Sequence, residues 1–224
     1  MNAKDIIEKM VLLGKNECLK WKSSDIPFNG MLYALFTTTG RGDKFAKRCF
    51  ERLETIAGSK RNIPSYLRRL SDIKLEDLAS KIKFNRKRFL NGVKSILALD
   101  EIYNLQRDDL THIKNPEEFY TAIRKTHGFG GAEIGPWVGC DFVRLWKLRL
   151  PKNLELPKST KEVCLKKLEK ELKVSLLPKV KLEDYPYIDA FFEIRARNGE
   201  RLRNLAKNDP KTFIEEVKRL LNDP

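Results

Sequence analysis

Asn115-Pro116-Glu117-Glu118-Phe119-Tyr120-Thr121-Ala122-Ile123-Arg124-Lys125-Thr126, followed by His127-Gly128-Phe129-Gly130-Gly131, is the stretch that decides how the chain is read. Asn115 offers a side-chain cap, Pro116 suits a first helical turn, and Glu118 stands three residues past the cap. A helix therefore starts here and runs to about Thr126. The glycines turn the chain, and an apolar stretch then continues to Trp146. No strand pattern precedes Gly128, so a nucleotide-binding strand–loop–helix unit fails its own context test.

Outward from this segment nearly every stretch has helical spacing. Ile6, Ile7, Met10, Val11 and Leu13 mark a first helix. Asp25-Ile26-Pro27 opens an apolar stretch through Phe36. The loop Thr37-Thr38-Thr39-Gly40-Arg41-Gly42 leads to a helix ending near Ala57-Gly58. Short helices follow at residues 63–70 and 75–82, and Asn85 caps one running through Val93 to Leu97. Ser159-Thr160-Lys161-Glu162 reads as a capping box, and Asp209 as the cap of a last helix over residues 210–221, after one over residues 182–197. Alternation typical of strands is weak, with a single hint at residues 173–180. The pattern predicts an all-α chain of about ten helices without internal repeats.

The chain has 224 residues, 45 Lys plus Arg against 31 Asp plus Glu, and a net charge of +14. Charged residues make up 34%, against about 25% in average soluble proteins, while 41% hydrophobic residues suffice for a core and exclude a wholly disordered chain. The longest apolar run, Met31 to Phe36, is far short of the roughly 20 residues that cross a bilayer. With no secretory layout at the start, the expectation is an intracellular, cytoplasmic monomer that keeps off membranes. Cys18, Cys49, Cys140 and Cys164 lack zinc or redox spacing, and two histidines, His112 and His127, exclude a multi-histidine metal site. A surplus of +14 favours polyanionic partners, because a basic surface releases counterions from nucleic acid.

Residues 116–147 have the layout of a helix-hairpin-helix, in which glycines let the backbone approach a DNA phosphate. Phe28 to Leu172 resembles the helix-hairpin-helix DNA glycosylase superfamily, most closely the small archaeal 8-oxoguanine glycosylases. Three blocks carry the resemblance: Phe28 to Leu53 with its Thr37–Gly42 loop, Lys83-Phe84-Asn85-Arg86-Lys87-Arg88-Phe89 through Leu99, and Thr126 to Trp146. Tyr187-Ile188-Asp189-Ala190-Phe191-Phe192 is similar to the family's closing helix with its acid. The resemblance implies an all-α, two-lobed domain, with both termini in one lobe (about 1–59 and 146–224) and the hairpin in the other (about 60–145). It implies double-stranded DNA as partner, and no cofactor beyond a monovalent cation at the hairpin.

The chain departs from that family in its chemistry. Ala132 stands where bifunctional members carry the catalytic lysine, and Leu156-Pro157-Lys158-Ser159-Thr160 holds no carboxylate where they carry an aspartate. Both losses remove groups that excision uses. Phage enzymes that hypermodify thymine, joining an amino acid or a polyamine to an activated thymine, resemble this chain better in what it lacks. Gly128-Phe129-Gly130 followed by Asp141 is similar to their pattern. The expected reaction is such a transfer on a flipped base (in the host cytoplasm if phage-encoded), with a glycosylase using a relocated carboxylate, or a non-catalytic reader of modified bases, as alternatives.

Candidate catalytic groups are Asp141, Glu133 and Asp189. Glu133 at the hairpin is either a general base or a partner of the local helix dipole. Asp141, among Trp137, Val138, Phe142 and Val143, is either a buried acid suited to proton transfer or an ion-pair partner of Arg144 or Arg195. Asp189 is either a pocket acid or the head of an ion-pair ladder with Glu193 and Arg197. Candidate DNA contacts are Gly128, Phe129, Gly130, Gly131 and Lys125 at the hairpin, Thr39 and Arg41 in the early loop, and Arg86, Lys87 and Arg88.

Overall fold

The computed structural model describes residues 2–20, 26–37, 43–126, 146–152, 156, 158–196 and 199–222. Among them are eleven α-helices and no strand. The strand hint at residues 173–180 gives way to a 3-10 turn at Leu177–Lys179. Glu169 takes the backbone N–H groups of Leu176 and Leu177 at 2.6 and 2.8 Å, and Pro178 has none to give, so a strand ladder would find no donors here. The described residues fall into two compact units, one of residues 2–20 and 152–222, the other of residues 26–126 and 146–151.

α1 (Ala3–Lys20) belongs to the first, terminal unit. The second, central unit is built around α2 (Pro27–Thr37), whose residues from Pro27 to Phe36 are all buried. A helix apolar around its whole circumference must be enclosed, and α3 (Asp43–Ala57), α4 (Ile63–Arg68) and α6 (Arg86–Tyr103) pack on it. α5 (Asp72–Lys81) lies along α6, and α7 (Pro116–Lys125) packs on α6 through an edge-on Tyr103–Phe119 contact at 4.8 Å. The expected caps form: Asn85 accepts from the Arg88 N–H at 2.9 Å and Asn115 from the Glu118 N–H at 3.1 Å.

This grouping moves the expected boundary. The sequence places residues up to 59 and from 146 onward in the lobe with the termini, yet α2, α3 and residues 146–151 sit in the central unit. The reason is packing. Phe36 meets Phe84 edge-on at 5.1 Å and stacks on Phe89 at 6.2 Å, and the Trp146 ring lies so close to Gly30 that a Cβ there would fall 2.0 Å from it.

In the terminal unit a π-helical turn, Ser159–Leu165, runs into α8 (Lys166–Leu172). α9 (Tyr185–Ala190) continues into a second π-helical turn, Phe191–Arg195, ahead of α10 (Gly199–Asn208) and α11 (Pro210–Asn222). Asp209 caps α11 as expected, accepting from the Thr212 N–H at 3.2 Å. Met10, Leu165, Ile188, Phe191 and Phe213 are fully buried and form the centre of this core. Glu17 and Arg195 make an ion pair of 3.1 Å with side chains 14% and 8% exposed, and Arg195 Nε also donates to the Leu220 carbonyl at 3.0 Å. Cys18 is buried and disulfide-bonded, whereas Cys49 and Cys164 are buried free thiols.

α1 and α9 approach through Gly14, where a Cβ would fall 1.9 Å from the Tyr187 carbonyl oxygen. Helix propensity alone makes Gly14→Ala stabilising by about 1 kcal/mol. The clash is with backbone, which cannot rotate aside, so overpacking wins. Gly14→Ala is expected to cost about 3 kcal/mol, read as a lower urea midpoint in far-UV circular dichroism.

Candidate nucleic-acid interface

α7 carries Glu117 and Glu118 in its first turn and Arg124 and Lys125 in its last, as the helix dipole favours. α6 is arranged the opposite way. Its first turn holds Arg86, Lys87 and Arg88 and no acid, and its C-terminal end holds Asp100 and Glu101 and no base in the last turn. Each such cation at a helix N-terminus forgoes or reverses about 0.3–1 kcal/mol. At the far end the conflict is settled internally: Arg68 pairs with Asp100, whose side chain is fully buried, and with Glu101 at 3.8 Å. Gln106 donates to the same Asp100 oxygen at 2.6 Å, and the other oxygen is buried without a partner. At the near end Arg86 finds only the Ser80 hydroxyl, at 2.7 Å, and neither Arg86 nor Lys87 meets a carboxylate among the described residues.

The turn before α6 adds to this charge. α5 closes with a hydrogen-bonded cap, the Phe84 N–H reaching the Ala79 carbonyl at 2.8 Å and the Lys83 N–H reaching Ser80 at 3.1 Å. Lys83 holds the left-handed position of that cap at φ 62°, where glycine is the favoured residue. Lys147 and Lys173 adopt such a conformation too, so strain alone does not mark Lys83; its exposed neighbours Lys81, Arg86 and Lys87 do. The turn is fixed from behind by α3: Cys49 Sγ donates to the Ile82 carbonyl at 3.4 Å, Arg52 Nη1 to the same oxygen at 3.2 Å, and Phe45 stacks on Phe84 at 6.2 Å.

Of the residues expected to touch DNA, Arg86, Lys87 and Arg88 thus share one turn, with Arg88 half-buried, and Lys125 is exposed at the end of α7 in the same unit. Thr39, Arg41, Gly128, Phe129, Gly130 and Gly131 lie outside the described residues, as do Glu133 and Asp141. Lys81 and Lys83 were missed because single cations at a helix end carry no pattern of their own.

Asp189 is in the terminal unit, 4% exposed, and accepts a hydrogen bond from the Thr160 hydroxyl at 2.5 Å. One expectation is corrected here. The capping box at Ser159 does not form, because the helix is already running at Lys158, where no side chain caps it, and the Thr160 hydroxyl serves Asp189. Glu193 pairs with Arg203 of α10, while Arg197, the third member of the expected ladder, lies outside the described residues. Burial pushes the nearby Cys164 thiol up to about 12, with Arg203 drawing it down and Asp189 pushing it up, so it stays protonated at neutral pH. Among the described residues no three His, Cys, Asp or Glu side chains cluster as metal ligands, and no helix is long and apolar enough to cross a membrane.

Comparisons with known family models, with characterised proteins and with solved structures found no match.

Two substitutions separate structural from binding roles. Lys83→Gly relieves roughly 1 kcal/mol of left-handed strain and is expected to raise the melting temperature by about 2 °C while weakening duplex binding. Thr160→Val removes a donor from a buried carboxylate and is expected to cost about 1–3 kcal/mol in urea unfolding, with Thr160→Ser close to wild type.

Proposed function

We propose that the chain binds duplex DNA and acts on a base turned out of the stack. The observation that carries this reading is the inverted first turn of α6, where Arg86, Lys87 and Arg88 sit at the positive end of an 18-residue helix whose first turn holds no acid, and where neither Arg86 nor Lys87 meets a carboxylate among the described residues. A phosphate placed there meets Arg86 and Lys87 together with the positive end of the helix, and offsets the charge that these cations add to the dipole. The surplus of +14 across the chain supports the same partner. In this reading the fold is the two-lobed helix-hairpin-helix type.

The reaction we favour is transfer rather than excision, since Ala132 and the stretch 156–160 lack the lysine and aspartate that excision uses. In the transfer, an amine of an amino acid or polyamine attacks the 5-methyl carbon of a phosphate-activated hydroxymethyluracil. A C–N bond forms, the C–O bond breaks, pyrophosphate leaves, and a base takes the amine proton. Glu133 and Asp141 are the proposed bases.

One contact favours the glycosylase alternative. The Asp189 carboxylate reaches Thr160, within the stretch where the resembling family carries its aspartate. A carboxylate on another helix thus lies beside the vacant place in the sequence.

Intact-mass analysis of duplexes bearing thymine, hydroxymethyluracil, its pyrophosphorylated form or 8-oxoguanine, each incubated with amino acids and polyamines, separates these readings. The expected result is a mass gain on the activated thymine, abolished by Asp141→Asn or Glu133→Gln. Loss of a base with Asp189 required establishes the glycosylase. Unchanged mass with retained, salt-sensitive binding leaves a reader of modified bases, and binding indifferent to salt sinks the DNA reading itself.

A further inference from the structure

We infer that the phosphate-binding surface continues from the start of α6 onto α3, and that it grips the backbone of a duplex through charge rather than stacking on bases. The inference rests on the DNA-binding reading above. Lys44, Lys47 and Arg48 stand at spacings of three and four on α3 and are all exposed, while Ala46, Cys49, Phe50 and Leu53 on the other side are buried. No carboxylate pairs with any of the three among the described residues, although Glu51 lies within one turn of Lys47 and Arg48.

The contacts that fix the turn also bring the two basic segments together. Lys47 and Arg48 immediately precede Cys49, whose Sγ reaches the Ile82 carbonyl at 3.4 Å, and Lys83 immediately follows Ile82. Lys44 precedes Phe45, whose ring stacks on Phe84 at 6.2 Å, and Phe84 stands between Lys83 and the Asn85 cap of α6. Residues 44–52 carry four cations and one acid, and residues 81–88 carry five cations and no acid. Like charges gathered this densely repel one another, so the arrangement costs the fold and is relieved by a polyanion.

The aromatic groups decide which polyanion. Single-stranded nucleic acid is held by exposed rings on which bases stack. Here Phe36, Phe84 and Phe89 are buried and Phe45 is half-buried against Phe84, so the rings anchor the surface from beneath and leave its cations outward. What remains to bind is phosphate, and the duplex offers it at the higher density.

The test is fluorescence anisotropy of labelled 20-base-pair duplex and 20-nucleotide single strand over a range of salt, on the full chain. Comparison variants are Lys44→Gln/Lys47→Gln/Arg48→Gln on α3 and Arg86→Gln/Lys87→Gln on α6, each checked for unchanged melting temperature. At about 0.9 released counterion per phosphate contact, the α3 variant is expected to flatten the slope of log affinity against log salt by about 2–3 on duplex. An unchanged slope for the α3 variant, with a flatter one for the α6 variant, overturns the extension and leaves the DNA reading standing. Slopes unmoved by either variant overturn both. Single strand bound as tightly as duplex overturns the choice of partner.

Discussion

Everything in the central unit follows from the fact that α2 has no face to show to water. Its ten residues from Pro27 to Phe36 are buried, so α3, α4, α6 and the segment around Trp146 have to close over it. Two small residues permit that closure: Gly30 admits the Trp146 ring, and Gly92 on α6 admits Leu35. Asn29, a fully buried amide in this largely apolar helix, donates to the Lys60 carbonyl at 3.0 Å, while its own oxygen is buried without a partner. Enclosing α2 also fixes the direction of α6, and with it where the first turn of α6 points its charge.

The two ends of α6 treat charge that opposes the helix dipole differently. Asp100 and Glu101 oppose the dipole at the C-terminal end, and Arg68 comes from α4 to neutralise them. At the N-terminal end Arg86 and Lys87 meet no such acid among the described residues. Asp72 of α5 is instead paired with Lys94, at 2.5 Å, far along α6. Glu51 of α3 forms no ion pair among the described residues. Two cations so placed work against the helix dipole, a cost that the proposed phosphate contact would offset.

Much of the helical framework was legible because local signals suffice for it. Asn85, Asn115 and Asp209 cap helices where their side-chain chemistry says they should, and Pro116 and Pro210 stand in first turns. Signals that depend on tertiary partners were not legible. Ser159-Thr160-Lys161-Glu162 has the composition of a cap, but Thr160 is claimed by Asp189, 29 residues away. The assignment of α2 and α3 to the central unit is set by phenylalanine contacts with residues 84 and 89, which no local spacing announces. The basic surface was half visible: Arg86-Lys87-Arg88 is a run, whereas Lys44, Lys47 and Arg48 join it only through the Ile82 and Phe84 contacts.

The terminal unit meets a different demand, the accommodation of a carboxylate in a core. Asp189 sits among Ile188, Ala190 and Phe191, all fully buried, where an unpartnered carboxylate would cost several kcal/mol. Its solution draws on irregular helix at both ends: Thr160 reaches it from within one π-helical turn, and a second π-helical turn begins two residues after it. Wide turns of this kind lose hydrogen-bond quality and persist where a side chain gains from the altered direction. The gain for Thr160 is the Asp189 oxygen, and for Glu193 it is Arg203 on α10. Leucine at position 189 would suit the same core without either device, so retaining the acid commits two stretches of helix to serving one buried charge.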